Sequence, residues 1–244
     1  MADNQRRDQW VQILRRADDE LDDSARRAMA AACRDLPPDA PSAEVIRQVD
    51  RAVEALDGHR VAAASAPRTE DVETACTALR SAAAAQAEAE RVADSLAADR
   101  IQFLETSLEF HDRHGTQPCP VCAASTLDDE WVVRARAALA AEKDAAAALR
   151  VARSAAHRAR QALTALIRTV QAPPDDDAGL SAVPEARAAH QGFTAAAADD
   201  DVAQAEQVAA ALPRLRQAYA TLGLAAEAEL VTARRAQTWL AAGG

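Results

Sequence analysis

The stretch HGTQPCPVCAAST, residues 114–126, lies almost at the centre of this 244-residue chain. It places Cys119 and Cys122 in a Cys-Pro-Val-Cys turn, with 118 residues before the first cysteine and 122 after the second. Cysteines at this spacing supply two of the four ligands that a structural zinc ion takes. Long segments of helix-forming sequence flank the stretch on both sides. The sequence therefore predicts a pair of thiolates at the turn of a helical hairpin.

Two proline-free segments of similar length predict the arms of this hairpin. Pro67 lies 52 residues before the first cysteine of the pair, and Pro173 lies 51 residues after the second. The segments inside these prolines, residues 68–114 and 126–172, are each about 45 residues long, or roughly 70 Å of helix. We therefore expect an all-α fold: a long antiparallel helical hairpin (coiled coil) with a C-x-x-C hook loop at its tip, flanked by further helices.

The second arm has apolar residues at the two seam positions of a heptad repeat, and the first arm has a weaker version of this pattern. Many of these residues are alanines, so we expect close packing of modest stability. The predicted seam residues are Val132, Ala135, Leu139, Ala146, Leu149, Ala156, Leu163, Ile167 and Val170 in the second arm, and Val72, Cys76, Leu79, Ala83, Leu96, Phe103, Leu104 and Leu108 in the first.

Opposite charges on the two arms predict how they pair. Residues 145–174 contain five arginines and no acid, whereas residues 68–99 contain seven acids and three arginines. A hairpin about the cysteines brings together residues equally far from them, and it places Arg153 beside Glu88. We favour ion pairing between the arms, and an arginine stripe that contacts DNA is the alternative.

Residues on both sides of the turn are suited to ending and restarting a helix. Gly115 can cap the first arm in a left-handed conformation. Ser125 or Thr126 can cap the second arm, whose first turn is rich in acids that favour a helix N-terminus. We therefore expect a hook loop over residues 115–125, with Trp131 as a packing anchor beside it.

The segments outside the arms, residues 1–67 and 173–244, also have helical sequence character. They contain no clear heptad repeat. Two arrangements are therefore open: the segments extend the coiled coil, or they fold back as a small bundle. Helices are predicted at residues 4–35, 42–64, 199–222 and 224–241, with breaks at Pro37-Pro38, Pro184 and Pro213.

Composition excludes several classes of protein. Aromatic residues are 3% of the chain and there are only 7 glycines, which fits long, closely paired helices better than a conventional globular core. The net charge of −10 argues against general affinity for DNA or anionic membranes. Charged residues interrupt every apolar run, and the N-terminus lacks the apolar core of a signal peptide. We therefore expect a cytoplasmic protein that does not bind membranes.

A zinc ion bound by the C-x-x-C pair needs two further ligands. Cys33 and Cys76 are poor candidates, because they lie far along the chain and have the character of small buried residues. A second copy of the chain can bring its own C-x-x-C pair and complete a four-cysteine site. Alternatively, His111 and His114, three apart on the last helical turn, can close a site within one chain. A metal-free, reduced or redox-active pair is the third possibility.

The residues around the turn resemble the zinc-hook apex of SMC-like ABC ATPases. That family includes the ATPase subunit of the double-strand-break repair nuclease complex and related coiled-coil ATPases of actinobacteria. In the family, two long coiled coils join through one zinc held by a C-x-x-C from each, so the resemblance implies that Cys119 and Cys122 are metal ligands. The resemblance is specific only over residues 110–131. It rests on Phe110-His111, His114-Gly115, Cys119-Pro120-Val121-Cys122, Leu127-Asp128 and Trp131.

The sequence departs from that family in lacking a G-x-x-x-x-G-K-[ST] phosphate loop, and its only lysine, Lys143, lies in mid-helix. It also suggests no catalytic constellation, so we expect no enzyme activity. The predicted function is a zinc-mediated dimerisation or tethering module, the hook and coiled-coil part of an SMC-like DNA-repair or DNA-tethering ATPase without its head. Its partner is a second copy, and DNA is reached only through the parent ATPase complex. The alternative is a monomeric helical adaptor whose turn is stapled by zinc on His111, His114, Cys119 and Cys122.

Overall fold

The computed structural model describes residues 13, 15–17, 20–37, 42–93, 96–195 and 200–242. Within these residues the chain is predominantly helical, and the cysteine pair lies at a short hairpin between two helices, so the predicted all-α class is confirmed. The elements are α1 (Asp23–Ala32), α2 (Ser42–Ala64), α3 (Thr69–Val92), α4 (Ala97–His114), β1 (Gln117–Pro118), β2 (Thr126–Leu127), α5 (Asp129–Arg168), α6 (Val183–Thr194) and α7 (Asp201–Ala241).

The chain divides into two compact units. One unit contains residues 73–164 and 198–206, and the other contains residues 1–72, 165–197 and 207–244. The first unit includes the hairpin and the cysteine pair, so it is called the hairpin unit here. None of the described helices is long and apolar enough to cross a membrane.

The two arms of the hairpin unit differ in their continuity. The second arm is one continuous helix, the 40-residue α5, which covers residues 129–168 of the predicted 126–172. The predicted continuous first arm is wrong, because α3 ends at Val92 and α4 begins at Ala97. The sequence between them contains Asp94 and Ser95, which lie outside the described residues. Their side chains are of the kind that compete with the helix for backbone hydrogen bonds.

Ion pairs between the arms show that α3 and α4 run antiparallel to α5. Arg153 contacts Glu90 and not the predicted Glu88, which pairs with Arg91 on its own helix. The shift arises because the hairpin turns about Cys122, as the strand pairing described below shows, and not about the midpoint of the cysteines. The pairs along the arms are Glu90–Arg153 at 3.2 Å, Arg100–Glu142 at 2.8 Å, Glu105–Lys143 at 2.6 Å and Asp112–Arg136 at 3.6 Å.

A small apolar cluster joins the arms next to the turn. Leu108 of α4 packs with Val132 and Ala135 of α5, all three being buried. Trp131 and Leu104 pack against this cluster and are partly buried. The predicted seam is therefore confirmed at this end of the hairpin, and Trp131 is the packing anchor that the sequence suggests.

Two of the predicted seam residues in the first arm do not face the second arm. Leu96 and Phe103 are each 57% exposed. The inward face of α4 contains Ala97 and Leu108, both buried, together with Leu104. Leu96 and Phe103 each precede an inward-facing position by one residue, which turns them by about 100° around the helix. The weak heptad of this arm did not reveal that difference.

The second unit shows how helices accommodate the outer prolines. The predicted break at Pro213 is wrong, since α7 continues through it from residue 201 to 241 and buries Leu215 and Tyr219. Pro184 lies in the first turn of α6, where the absence of a proline N–H costs no hydrogen bond, so it marks a helix start. Helix α2 has the predicted bounds of 42–64. The predicted helix at residues 4–35 is described only from Ile13, and its residues 4–12 lie outside the described part.

Candidate metal centre

A minimal β-hairpin presents the cysteine pair. Gln117 pairs with Leu127 and Pro118 with Thr126, so the turn is centred on Cys122. Within it, the Cys119 N–H donates to the Ser125 carbonyl at 2.8 Å, and the Ala123 N–H donates to the Cys119 carbonyl at 2.8 Å. These two bonds close residues 119–125 into a compact loop. Ala123 completes the turn at a φ of 55°, a left-handed conformation that favours glycine.

Different residues cap the end of α4 and the start of α5, the two helices that flank the hairpin. Gly115 caps α4 at a φ of 73°, and its N–H donates to the His111 carbonyl at 2.7 Å, as the sequence predicts. The predicted caps of the second arm, Ser125 and Thr126, are wrong because both residues belong to the hairpin. Asp128 caps α5 instead, since its Oδ1 accepts a hydrogen bond from the Trp131 N–H at 2.8 Å. Both helix ends are thus fixed close to the cysteine loop.

The two thiols differ in exposure. Cys122 is exposed and Cys119 is partly exposed. Hydrogen bonds from the Ala124 N–H, the Ser125 side chain and the Cys119 thiol lower the pKa of Cys122 to about 7. The Cys122 Sγ lies 3.7 Å from the Ser125 Oγ. Cys122 therefore forms the thiolate, which is the form that binds metals, more readily at neutral pH than an ordinary cysteine does.

The other two cysteines are buried, as the sequence predicts. Cys76 is 1% exposed and Cys33 is 8% exposed. Burial raises the pKa of Cys33 to about 11 and also raises the pKa of Cys76. A buried thiol with a raised pKa is a poor metal ligand, so the C-x-x-C pair is the metal-binding candidate.

The two histidines of the closed-site alternative pack against aromatic rings. The His111 ring lies 6.4 Å from the Trp131 ring, and the His114 ring lies 4.7 Å from the Phe110 ring. Both ring nitrogens of His111 are buried and have no hydrogen-bond partner among the described residues. Across the described part of the chain, no three His, Cys, Asp or Glu side chains are placed to hold one metal ion. The structure therefore brings the cysteines together but does not assemble the four-residue closed site.

The chemistry of this loop fits half of a zinc site. The two thiols lie on one hydrogen-bonded loop, they are hydrogen-bond partners, and the pKa of Cys122 is lowered to about 7. Zinc takes four N or S ligands in structural sites, so two positions stay open for ligands from elsewhere.

An apolar groove lies beside the cysteine loop and was not predicted. It has a volume of about 250 Å³, and every residue that lines it is uncharged. The signal that could have revealed it is the seven-residue spacing of Phe103 and Phe110 on α4, which Leu96 continues at the residue before the helix. The lining residues are Phe103, Thr106, Ser107, Phe110, Cys119, Pro120, Val121, Ser125, Leu127 and Trp131.

No protein-family model, curated protein or solved structure matches this chain. The resemblance to the zinc-hook apex stays a prediction that rests on residues 110–131.

Proposed function

We propose that this chain is a zinc-mediated dimerisation and tethering module, in which Cys119 and Cys122 of two copies hold one zinc ion. The observation that supports this most strongly is the pair of thiols at the end of an antiparallel helical hairpin, where Cys122 is exposed and Cys119 is partly exposed. The other two cysteines, Cys33 and Cys76, are buried, and among the described residues neither joins this pair in a group that could hold a metal ion. A zinc ion bound there therefore needs its remaining ligands from a second molecule or from nearby histidines.

The shared site is favoured over the closed site because it needs only the two thiols of each chain and no movement of a histidine. His111 packs on Trp131, so it must leave that position before it can join Cys119 and Cys122. A second copy, by contrast, offers another C-x-x-C pair whose two thiols are already hydrogen-bonded to each other on one loop.

The energy of such a site is large enough to join two chains with little other contact. Structural zinc contributes roughly 10–16 kcal/mol of apparent binding energy in small peptides near neutral pH. In this chain the hydrogen bonds to the Cys122 sulfur favour the thiolate, which lowers the cost of removing its proton before the metal binds. The ion pairs and apolar contacts between the arms do not involve the cysteines, so the hairpin does not depend on the metal.

The wider role follows from the resemblance. We propose that the chain is the hook and coiled-coil part of an SMC-like, cytoplasmic DNA-repair or DNA-tethering ATPase, without the ATPase head. In this role it is not itself an enzyme, and it reaches DNA only indirectly, through the parent ATPase complex. The region from residue 101 to 130 has six acids and one arginine, which disfavours direct contact with phosphates.

One observation favours testing a second candidate, the monomeric adaptor with a closed zinc site. The buried nitrogens of His111 have no hydrogen-bond partner among the described residues, and a buried polar atom without a partner costs about 1–3 kcal/mol. Binding zinc through one of these nitrogens is a way to remove that cost. The closed site uses His111 and His114 together with Cys119 and Cys122.

Sedimentation of three variants in zinc separates these candidates. Cys119→Ser and Cys122→Ser should each give a folded monomer, because a single thiol per chain leaves the shared site incomplete. The double variant His111→Ala, His114→Ala should still form a zinc-dependent dimer. A wild-type monomer that holds its own zinc, and loses it in the double histidine variant, would favour the closed site and defeat the shared one.

A further inference from the structure

We infer that a second copy of this chain packs along an apolar stripe on α4, so that the two hairpins lie side by side next to the shared zinc. The apolar stripe is Phe103 and Phe110 of α4 together with Leu96, the residue immediately before the helix, and it continues into Pro120 and Val121 of the cysteine loop. This inference rests on the proposed function, because the shared zinc is what brings the two copies together.

The stripe is a solvent-facing seam. Leu96 and Phe103 are each 57% exposed, and Val121 is 75% exposed. Residues seven apart lie on nearly the same face of a helix, which is the spacing of a coiled-coil seam. A different face of α4, which contains Leu104 and Leu108, makes the contact with α5. Helix α4 therefore has one apolar face that packs against α5 and a second apolar face on which Phe103 is exposed.

The stripe ends in the groove beside the cysteine loop, which is a concave surface lined only by uncharged residues. Phe103 and Phe110 line it from the helix, and Pro120 and Val121 line it from the loop. Charged residues make up 27% of the chain, yet none of them lines the groove. A surface of this composition can meet its own copy without bringing like charges together, which matters for a chain with a net charge of −10.

The position of the groove identifies the second copy as its occupant. Cys119 is one of the residues that line the groove. A second C-x-x-C pair that shares a zinc with Cys119 must therefore bring its own Pro120, Val121 and α4 to this place. In a two-fold contact each residue meets a symmetry-related surface, so the stripe of one copy packs against the stripe of the other.

The stripe also distinguishes two ways of joining the hairpins. Leu96 and Phe110 are 14 residues apart, which is roughly 21 Å along α4. If the hairpins meet end to end, only the residues nearest the cysteines touch the partner. If they lie side by side, Leu96 is part of the contact as well. Sensitivity of the dimer to a change at Leu96 is therefore specific to the side-by-side arrangement.

The test compares the dimer dissociation constants of Phe103→Glu and Leu96→Glu with that of Val133→Glu, in the full chain and in excess zinc. Val133 is a matched control, because it is 69% exposed on α5 and does not line the groove. Sedimentation gives the dissociation constant, metal analysis gives the zinc content, and circular dichroism verifies that each variant is folded. We expect both stripe variants to weaken the dimer about tenfold or more relative to the control, while the dimers that form keep one zinc per two chains.

Two results would overturn the inference. If the wild type forms a zinc-dependent dimer but both stripe variants stay within about twofold of Val133→Glu, the stripe is not an interface and the shared zinc stands. If the wild type stays monomeric in zinc, both the shared site and the stripe contact are wrong.

Discussion

Replacing Gly115 by alanine should destabilise the hairpin at the point where α4 ends. Gly115 has a φ of 73° and a ψ of −165°, a region of backbone conformation that is almost restricted to glycine. Forcing an L-residue into such a region costs about 1–3 kcal/mol. No atom lies within 4 Å of the added Cβ, so the cost comes from the backbone alone.

An opposing effect acts on the unfolded chain. Alanine has fewer unfolded conformations than glycine, which offsets the loss by about 0.4–1 kcal/mol. The expected net decrease in the free energy of unfolding is therefore about 1–2 kcal/mol for Gly115→Ala. Because Gly115 connects α4 to the cysteine hairpin, the loss should be local to this end of the molecule.

Urea unfolding followed by Trp131 fluorescence measures this loss, in a background where the other two tryptophans are phenylalanine. Trp131 packs against the cluster that joins α4 to α5, so its signal reports the region that Gly115 supports. The matched control is Gly192→Ala, followed by circular dichroism. Gly192 lies inside α6 with no atom within 4 Å of an added Cβ, and alanine there should stabilise by about 0.5–1 kcal/mol. If Gly115→Ala also proves neutral or stabilising, the conformation assigned to this turn is wrong.

Three further experiments test the cysteine loop and the residues that support it. Ala123→Gly should stabilise the hairpin by up to about 1 kcal/mol in the same fluorescence assay, because the φ of 55° suits glycine; a loss would contradict the turn described here. Asp128→Ala should remove the cap of α5 and cost about 1 kcal/mol, whereas Asp128→Asn should retain most of the stability; equal losses would exclude a capping role. In the folded, metal-free chain at pH 7, iodoacetamide should modify Cys122 well before Cys33 or Cys76, since its lowered pKa gives more thiolate and the other two are buried with raised pKa values. Peptide mass spectrometry gives this order, and added zinc should protect Cys122.

The main architecture was accessible from the sequence because its signals are local. The turn residues around the cysteines and the heptad of α5 predict the hairpin, and Gly115 predicts the end of α4. Helix α2 could be assigned with its observed bounds for the same reason. These features depend on neighbouring residues along the chain, which a single sequence displays directly.

The features that the sequence did not predict correctly depend on contacts between residues far apart in the chain. Asp128 replaces Ser125 and Thr126 as a helix cap because the hairpin extends past the cysteines, and this extension also shifts the partner of Arg153 to Glu90. Pro213 is tolerated inside α7 by burial of its neighbours. For the candidate site, the cysteine pair is evident in the sequence, but the groove beside it depends on the exposed position of Phe103 on α4, which the weak heptad of this arm does not indicate.

The zinc content and mass of the intact wild-type chain test the central claim most directly. Native mass spectrometry of the zinc-loaded protein reports both quantities in one measurement. The proposed shared site predicts a dimer that contains one zinc ion per two chains and that separates into metal-free monomers when a chelator is added. A monomer that contains one zinc ion, or a dimer that persists unchanged without metal, would contradict it.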